Sequence, residues 1–164
     1  MTISTVARRS DDNPNVVARP PYLFLGAIAI GAAIDVFWPV PMFPDIPQLA
    51  VGLPLIGAGL GVMIAAMRRL GRAGTNVPTY LPTRALVKSG PYRYSRNPIY
   101  VALALIHIGI GFSADSVWVL AMLPPLPPLL PVIRWGVVGR EERYLADKFG
   151  DEYQRYKTAV PRWF

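Results

Sequence analysis

The chain has 164 residues, 52% of them hydrophobic and only 16% charged, with a formal net charge of +7 and no cysteine. An ordinary soluble domain carries roughly 25% charged residues, so the composition argues against a soluble fold and for lipid as the solvent. Disulfides, thiolate nucleophiles and Cys-ligated metals are excluded, and the length fits one compact domain.

Residues 1–20 are polar and rich in Pro and Asn, without the apolar core of a signal peptide, and read as a disordered cytoplasmic tail. Residues 21–164 then form a single membrane domain. A bilayer span needs about 20 mostly apolar residues. The first candidate covers about 22–40, contains Asp35, and ends in a cluster of prolines. The second covers 48–67 and stops at Arg68 and Arg69. Within it Gly57, Gly61 and Ala65 recur every fourth residue, a stripe that would let another helix approach closely. The third covers 98–113, with Pro98 suited to a helix's first turn. The fourth covers 116–138, joined to the third by a tight Ser113-Ala114-Asp115 link. It carries Pro124, Pro125, Pro127, Pro128 and Pro131, each of which removes a helical donor. That run reads either as a kinked helix held by its neighbours or as a broken helix opening a path to the bilayer.

The charges sort by side. Of the 17 Lys and Arg, three precede the first span, seven lie between the second and third, and seven lie at or after the end of the fourth. The two opposite links carry none. The positive-inside rule then puts both termini and the central loop in the cytoplasm. The basic residues flank apolar segments, so the positive charge points to an anionic membrane face and not to nucleic acid. The expected fold is all-α: four transmembrane helices, a cytoplasmic loop and an amphipathic C-terminal helix. The last is read from Leu145, Phe149, Tyr153, Tyr156 and Val160, which recur every three to four residues among charged ones, with a break at Gly150.

Polar residues concentrate in the loop 86–100 and the tail 140–162, both on the cytoplasmic side and able to meet in one site. Such a site has access to soluble cofactors, while the spans give access to lipid-like substrates. His107 lies inside the third span. An ionisable residue at that depth is a functional candidate by default; a neutral, hydrogen-bonded packing histidine is the simpler reading, and it stays outside the core assignment. No metal cluster and no phosphate-binding loop is visible.

The segment Gly90-Pro91-Tyr92-Arg93-Tyr94-Ser95-Arg96-Asn97-Pro98-Ile99-Tyr100 resembles the signature of the isoprenylcysteine carboxyl methyltransferases and their bacterial relatives. The phospholipid methyltransferases share a related pattern. Gly109-Ile110-Gly111 resembles their Gly-x-Gly, Glu141-Glu142 the paired Glu of both groups, and the stretch from Phe149 to Arg162 the carboxyl methyltransferase tail. Asn97 stands where the eukaryotic enzymes have His, as in bacterial members. The resemblance covers about residues 75–162.

It implies a multi-pass enzyme of the bacterial inner membrane that uses S-adenosylmethionine. It also implies a cofactor pocket lined by Leu86, Val87, Tyr92, Asn97, Pro98, Ile99, Tyr100, Gly109, Gly111, Glu141 and Glu142. Arg96, Arg134 and Arg140 are candidates for binding the acceptor. The eukaryotic enzymes tie the acceptor carboxylate to an Arg one helical turn before the Glu; here that place falls at Val137. The physical reading fits the cofactor, since a carboxylate such as Glu141 can pair with its ammonium and apolar and aromatic side chains can hold its adenine. A lipid-like or membrane-embedded acceptor is expected, most like the prenylcysteine carboxylate. Phospholipid amine, a small thiol, an NADPH-dependent membrane reductase and a non-enzymatic scaffold are the alternatives.

Overall fold

The computed structural model describes residues 19–42, 47–76, 83–123 and 132–163, with the side chains of 132–134 excepted. The described residues are helical with no strand. Five α-helices follow in order: α1 Pro20–Phe37, α2 Gln48–Arg72, α3 Pro98–Ser113, α4 Val117–Ala121 and α5 Gly139–Ala159. A 3-10 turn, Gly90–Arg93, precedes α3, and a π-helical stretch, Val132–Val138, runs straight into α5.

The helix starts follow from local chemistry. α1 and α3 each open on proline, whose missing N–H is no loss in a first turn. Ser116 caps α4 by accepting the Val119 N–H at 3.2 Å. Arg69 and Arg72 sit in the last turn of α2, where cations favour the helix dipole.

α1 and α2 are long and apolar enough to cross a bilayer, yet only 22% and 17% of their apolar stretches are buried inside the molecule. A soluble core helix would be mostly buried, whereas Leu25, Ile30, Leu53, Leu60 and Ile64 face outward. α3 matches its expected bounds at 98–113 and is apolar but shorter. The expected fourth span is described only at its two ends, α4 and the π-helical stretch. The prolines between them, Pro124 to Pro131, lie outside the described residues, as does the tail 1–18.

The tightest packing joins α2 to α3. A Cβ on Gly109 would lie 2.7 Å from the Gly52 carbonyl oxygen, and one on Gly59 2.8 Å from the Ala102 carbonyl oxygen. Only glycine lets the two backbones come so close. Gly52, Gly59 and Ala66, spaced seven residues apart, form the buried face of α2. This corrects the sequence expectation: Gly57 and Gly61 have open space where a Cβ would stand and face away from α3. His107 is fully buried, with Nε2 at 2.7 Å from the Val119 carbonyl and its ring edge-on to Phe24, so it ties α3 to α1 and α4.

The two ends of the helices differ. At one end, the links after α1 and α3 are joined by Met42 N–H donating to Asp115 Oδ1 at 3.0 Å and Trp118 Nε1 donating to the Trp38 carbonyl at 2.6 Å. At the other end the start of α1, the end of α2, the loop before α3 and the whole of α5 come together. Every described Lys and Arg of the loop and tail lies on these segments.

Candidate functional site

At that second end lies a cavity of about 510 Å³, within the range usual for cofactor sites. Its walls come from six parts of the chain: Arg19 and the first turn of α1, Leu70 of α2, Asn76 beyond it, the loop 83–97, the first turn of α3, and α5. The lining is mostly apolar, with Leu70, Ala85, Leu86, Val87 and Ile99 beside Tyr92, Tyr100, Tyr144, Tyr153 and Tyr156.

The loop is held there by backbone and side-chain bonds. Arg84 N–H donates to Thr75 Oγ1 at 2.8 Å, and Thr83 N–H donates to the Tyr144 hydroxyl at 3.1 Å. The Tyr156 hydroxyl donates to the Tyr92 carbonyl at 2.6 Å. Tail residues 160–162 then bind the segment just before α3. Arg96 N–H donates to the Pro161 carbonyl at 3.0 Å, and the Arg162 carbonyl accepts from Ser95 Oγ at 3.2 Å and Asn97 Nδ2 at 3.0 Å. Asn97 therefore precedes α3 without capping it, because its amide is committed to the tail. The tail reaches this position by a break at Gly150, whose φ of 50° and ψ of −128° interrupt α5. Beyond the break Tyr153, Tyr156 and Val160 pack on Leu86, Leu145 and Phe149.

The two adjacent glutamates have opposite surroundings. Glu142 is buried and neutralised twice. Its Oε1 lies 2.8 Å from Arg96 Nη1 and accepts from Arg162 Nε at 3.0 Å, and its Oε2 accepts from Arg162 Nη2 at 2.6 Å. That hydrogen bonding holds the Arg162 guanidinium above its usual pKa. Glu141 faces the cavity, where the Tyr100 hydroxyl donates to its Oε2 at 3.2 Å. Burial pushes the Glu141 carboxyl up to about 8, against the Tyr100 hydrogen bond, which lowers it; the Glu142 charge raises it further. Burial likewise raises the Tyr92, Tyr153 and Tyr156 phenols, so all three stay protonated.

Of the residues singled out in the sequence, Leu86, Val87, Tyr92, Asn97, Pro98, Ile99, Tyr100, Glu141 and Glu142 all line this cavity. Gly109 and Gly111 are not brought to it, which corrects that expectation. Gly109 lies in the α2–α3 seam, and a Cβ on Gly111 would meet the Leu120 side chain. Among the acceptor candidates, Arg96 lines the cavity with its guanidinium engaged by Glu142. Arg140 is not among the lining residues, and the Arg134 side chain lies outside the described residues. Val137 is fully buried and packs with Phe24, Tyr100 and Val138.

Sequence reasoning missed the contributions of Arg19 to Tyr22, Asn76, Thr83, Tyr144, Tyr153 and Tyr156. The three tyrosines carried a signal, since they share the amphipathic tail. The start of α1 carried none, because only the tertiary arrangement brings it to the loop.

Comparison with known proteins gives the same direction. A family model described as phospholipid methyltransferase matches residues 47–152. The cobalt-zinc-cadmium resistance protein CzcN of Cupriavidus metallidurans is 34% identical over 108 residues, 64% of this chain and 46% of that protein. An uncharacterized protein of Haemophilus influenzae is 59% identical over 32 residues, 20% of this chain and 51% of that one. The chain thus spans about half the length of the curated relatives it matches. No solved structure matches. The family model covers well over half of the chain and includes the loop, α3 and the paired glutamates, and the chain therefore belongs to the phospholipid methyltransferase family of membrane methyltransferases.

Proposed function

We propose that the chain is an S-adenosylmethionine-dependent methyltransferase acting on a lipid-like acceptor, with the cofactor held in the loop–α5 cavity. The observation that carries this reading is Glu141. A part-buried carboxyl in an apolar cavity, with one phenol as its hydrogen-bond donor, loses its proton readily only when a cation joins it, and the cofactor's ammonium is such a cation. The cavity fits the rest of the group: Leu86, Val87, Ile99 and Tyr92 offer an apolar and aromatic slot for an adenine ring. When bound, the cofactor supplies an electrophilic methyl group on sulfur.

The chain's own part is positioning. Glu141 and Tyr100 fix one end of the ligand. Asn97, Pro98 and Ile99 fix the wall at the first turn of α3, and the Glu142–Arg96–Arg162 cluster holds loop and tail together so that the wall exists at all. Holding two reactants in line contributes more than any side-chain base when the acceptor is already a carboxylate. The apolar lining excludes water, which otherwise shields an anionic nucleophile.

The membrane arrangement belongs to the same proposal: a single domain over 21–164, spans at about 22–40, 48–67, 98–113 and 116–138, and both termini cytoplasmic in a bacterial inner membrane. Gathering of the basic loop and tail at one end of the helices supports it. A reporter at Asp115 should read outside and reporters at both termini inside; a cytoplasmic reading at Asp115 would overturn this topology. The loop and tail are most like isoprenylcysteine carboxyl methyltransferases, so a membrane-borne carboxylate is the proposed acceptor, with a phospholipid amine or small thiol as alternatives within the same chemistry.

Titration of the purified protein with S-adenosylhomocysteine and with NADPH tests the class. Saturable heat with the first alone is expected. Binding of NADPH without S-adenosylhomocysteine would instead mark a reductase, and binding of neither a scaffold.

A further inference from the structure

Glu142 is shared by the cavity and by a second hollow of about 420 Å³ behind it, lined by Trp135, Gly139, Glu142, Arg143, Ala146, Lys157 and Arg162. The break at Gly150 folds the second half of α5 back, and so Lys157 and Arg162 come beside Arg143 of the first half. Three cations thus surround a hollow holding one carboxylate, and that carboxylate is already engaged by Arg96 and Arg162. The remaining charge, on Arg143 and Lys157, is positive. Arg143 Nε donates to the Gly139 carbonyl at 3.2 Å, which holds its guanidinium against the start of α5.

The rim on the helical side is Trp135, 64% exposed on the π-helical stretch. An exposed indole beside a membrane helix end sits at headgroup level, and clustered Lys and Arg at that level attract anionic lipid. We infer that this hollow is a binding site for the phosphate headgroup of an anionic phospholipid, with Arg143 and Lys157 as the phosphate ligands and Trp135 at the boundary with the acyl chains. The site does not depend on the methyltransferase reading; it rests on the membrane arrangement proposed above. Arg162 lines this hollow and pairs with Glu142, which lines both, so a lipid here braces the same tail that closes the cavity.

The test uses the full chain in nanodiscs of phosphatidylcholine with and without phosphatidylglycerol, with retained lipid counted by native mass spectrometry. One phosphatidylglycerol per chain should be kept in preference to phosphatidylcholine. Each juxtamembrane charge contributes about fivefold in affinity, so the double variant Arg143→Gln/Lys157→Gln should hold phosphatidylglycerol roughly 25-fold more weakly. Arg68→Gln/Arg72→Gln, which removes the same charge elsewhere on that side, should keep the retained lipid. If the double variant fails to fold, Lys157→Gln alone, at an exposed position, should still show about a fivefold loss. An equal loss in the Arg68/Arg72 variant would reduce the effect to general surface attraction and overturn the site. Displacement of the retained lipid by inorganic phosphate would overturn the lipid assignment in favour of a soluble anion. Equal retention of phosphatidylcholine would overturn both.

Discussion

The apolar seam between α2 and α3 and the polar clasp between loop and tail solve the same problem, close contact, with opposite chemistry. In the seam, Gly52, Gly59 and Gly109 remove side chains so that backbones meet directly. In lipid there is no hydrophobic drive between helices, so van der Waals fit carries the association. In the clasp, Arg96, Arg162, Glu142, Ser95 and Asn97 tie together segments about 65 residues apart in sequence through charge and hydrogen bonds. The seam is insensitive to charge and intolerant of volume; the clasp is the reverse. Glu141 belongs to neither. It stands next to the clasp residue Glu142 yet faces the cavity, with the Tyr100 phenol as its hydrogen-bond donor.

The comparison breaks most visibly at Glu142. Removing one partner of a buried ion pair costs about 3–5 kcal/mol, so Glu142→Ala should lower thermal stability in detergent sharply and expose the tail to protease. A melting point like the parent's would mean that the clasp is ornamental. In the seam, Gly109→Val should cost about 1–3 kcal/mol, the usual range for overpacking, while leaving the tail protected; loss of tail protection in step would show that seam and clasp are one unit. The smallest effect belongs to the exposed pair Lys88–Glu152, 2.7 Å apart at the surface. Lys88→Ala should change stability by less than about 1 kcal/mol, and less again at high salt, as read by chemical denaturation.

The sequence told more about the clasp than about the seam, and the reason is physical. Clasp residues are polar in a chain that is otherwise apolar, so Asn97, Arg96 and Glu142 stand out by residue type alone. Pro98 marks a helix start by its own geometry, whereas Pro20, which opens α1, reads in the sequence as the end of the tail. The seam offers no such contrast. α2 is apolar on every side, and its glycines at 52, 57, 59 and 61 look alike in sequence. Which of them meets α3 depends on where the partner helix lies, and the four-residue stripe pointed to the wrong face. Gly109 and Gly111 failed for the same reason, being placed by packing. The start of α1 reaches the cavity through tertiary arrangement alone, which no local pattern near Arg19 announces.

The central claim is that Glu141 is the cavity's cation partner, and calorimetric titration of S-adenosylhomocysteine into the parent and Glu141→Gln across a pH series tests it most directly. Burial lifts this carboxyl from 4.5 to about 8. The folded chain therefore keeps a proton that the unfolded chain gives up; the resulting stability is complete below the lower value and is lost as pH rises through the upper one. A cation binds the ionised form, so parent affinity should climb with pH until about 8 and binding should release protons. Glu141→Gln should bind roughly tenfold to a hundredfold more weakly, the loss of one hydrogen bond to a charged group, with no climb, no proton release and an undiminished melting point. Parent-like affinity with the same pH slope in Glu141→Gln would contradict the account.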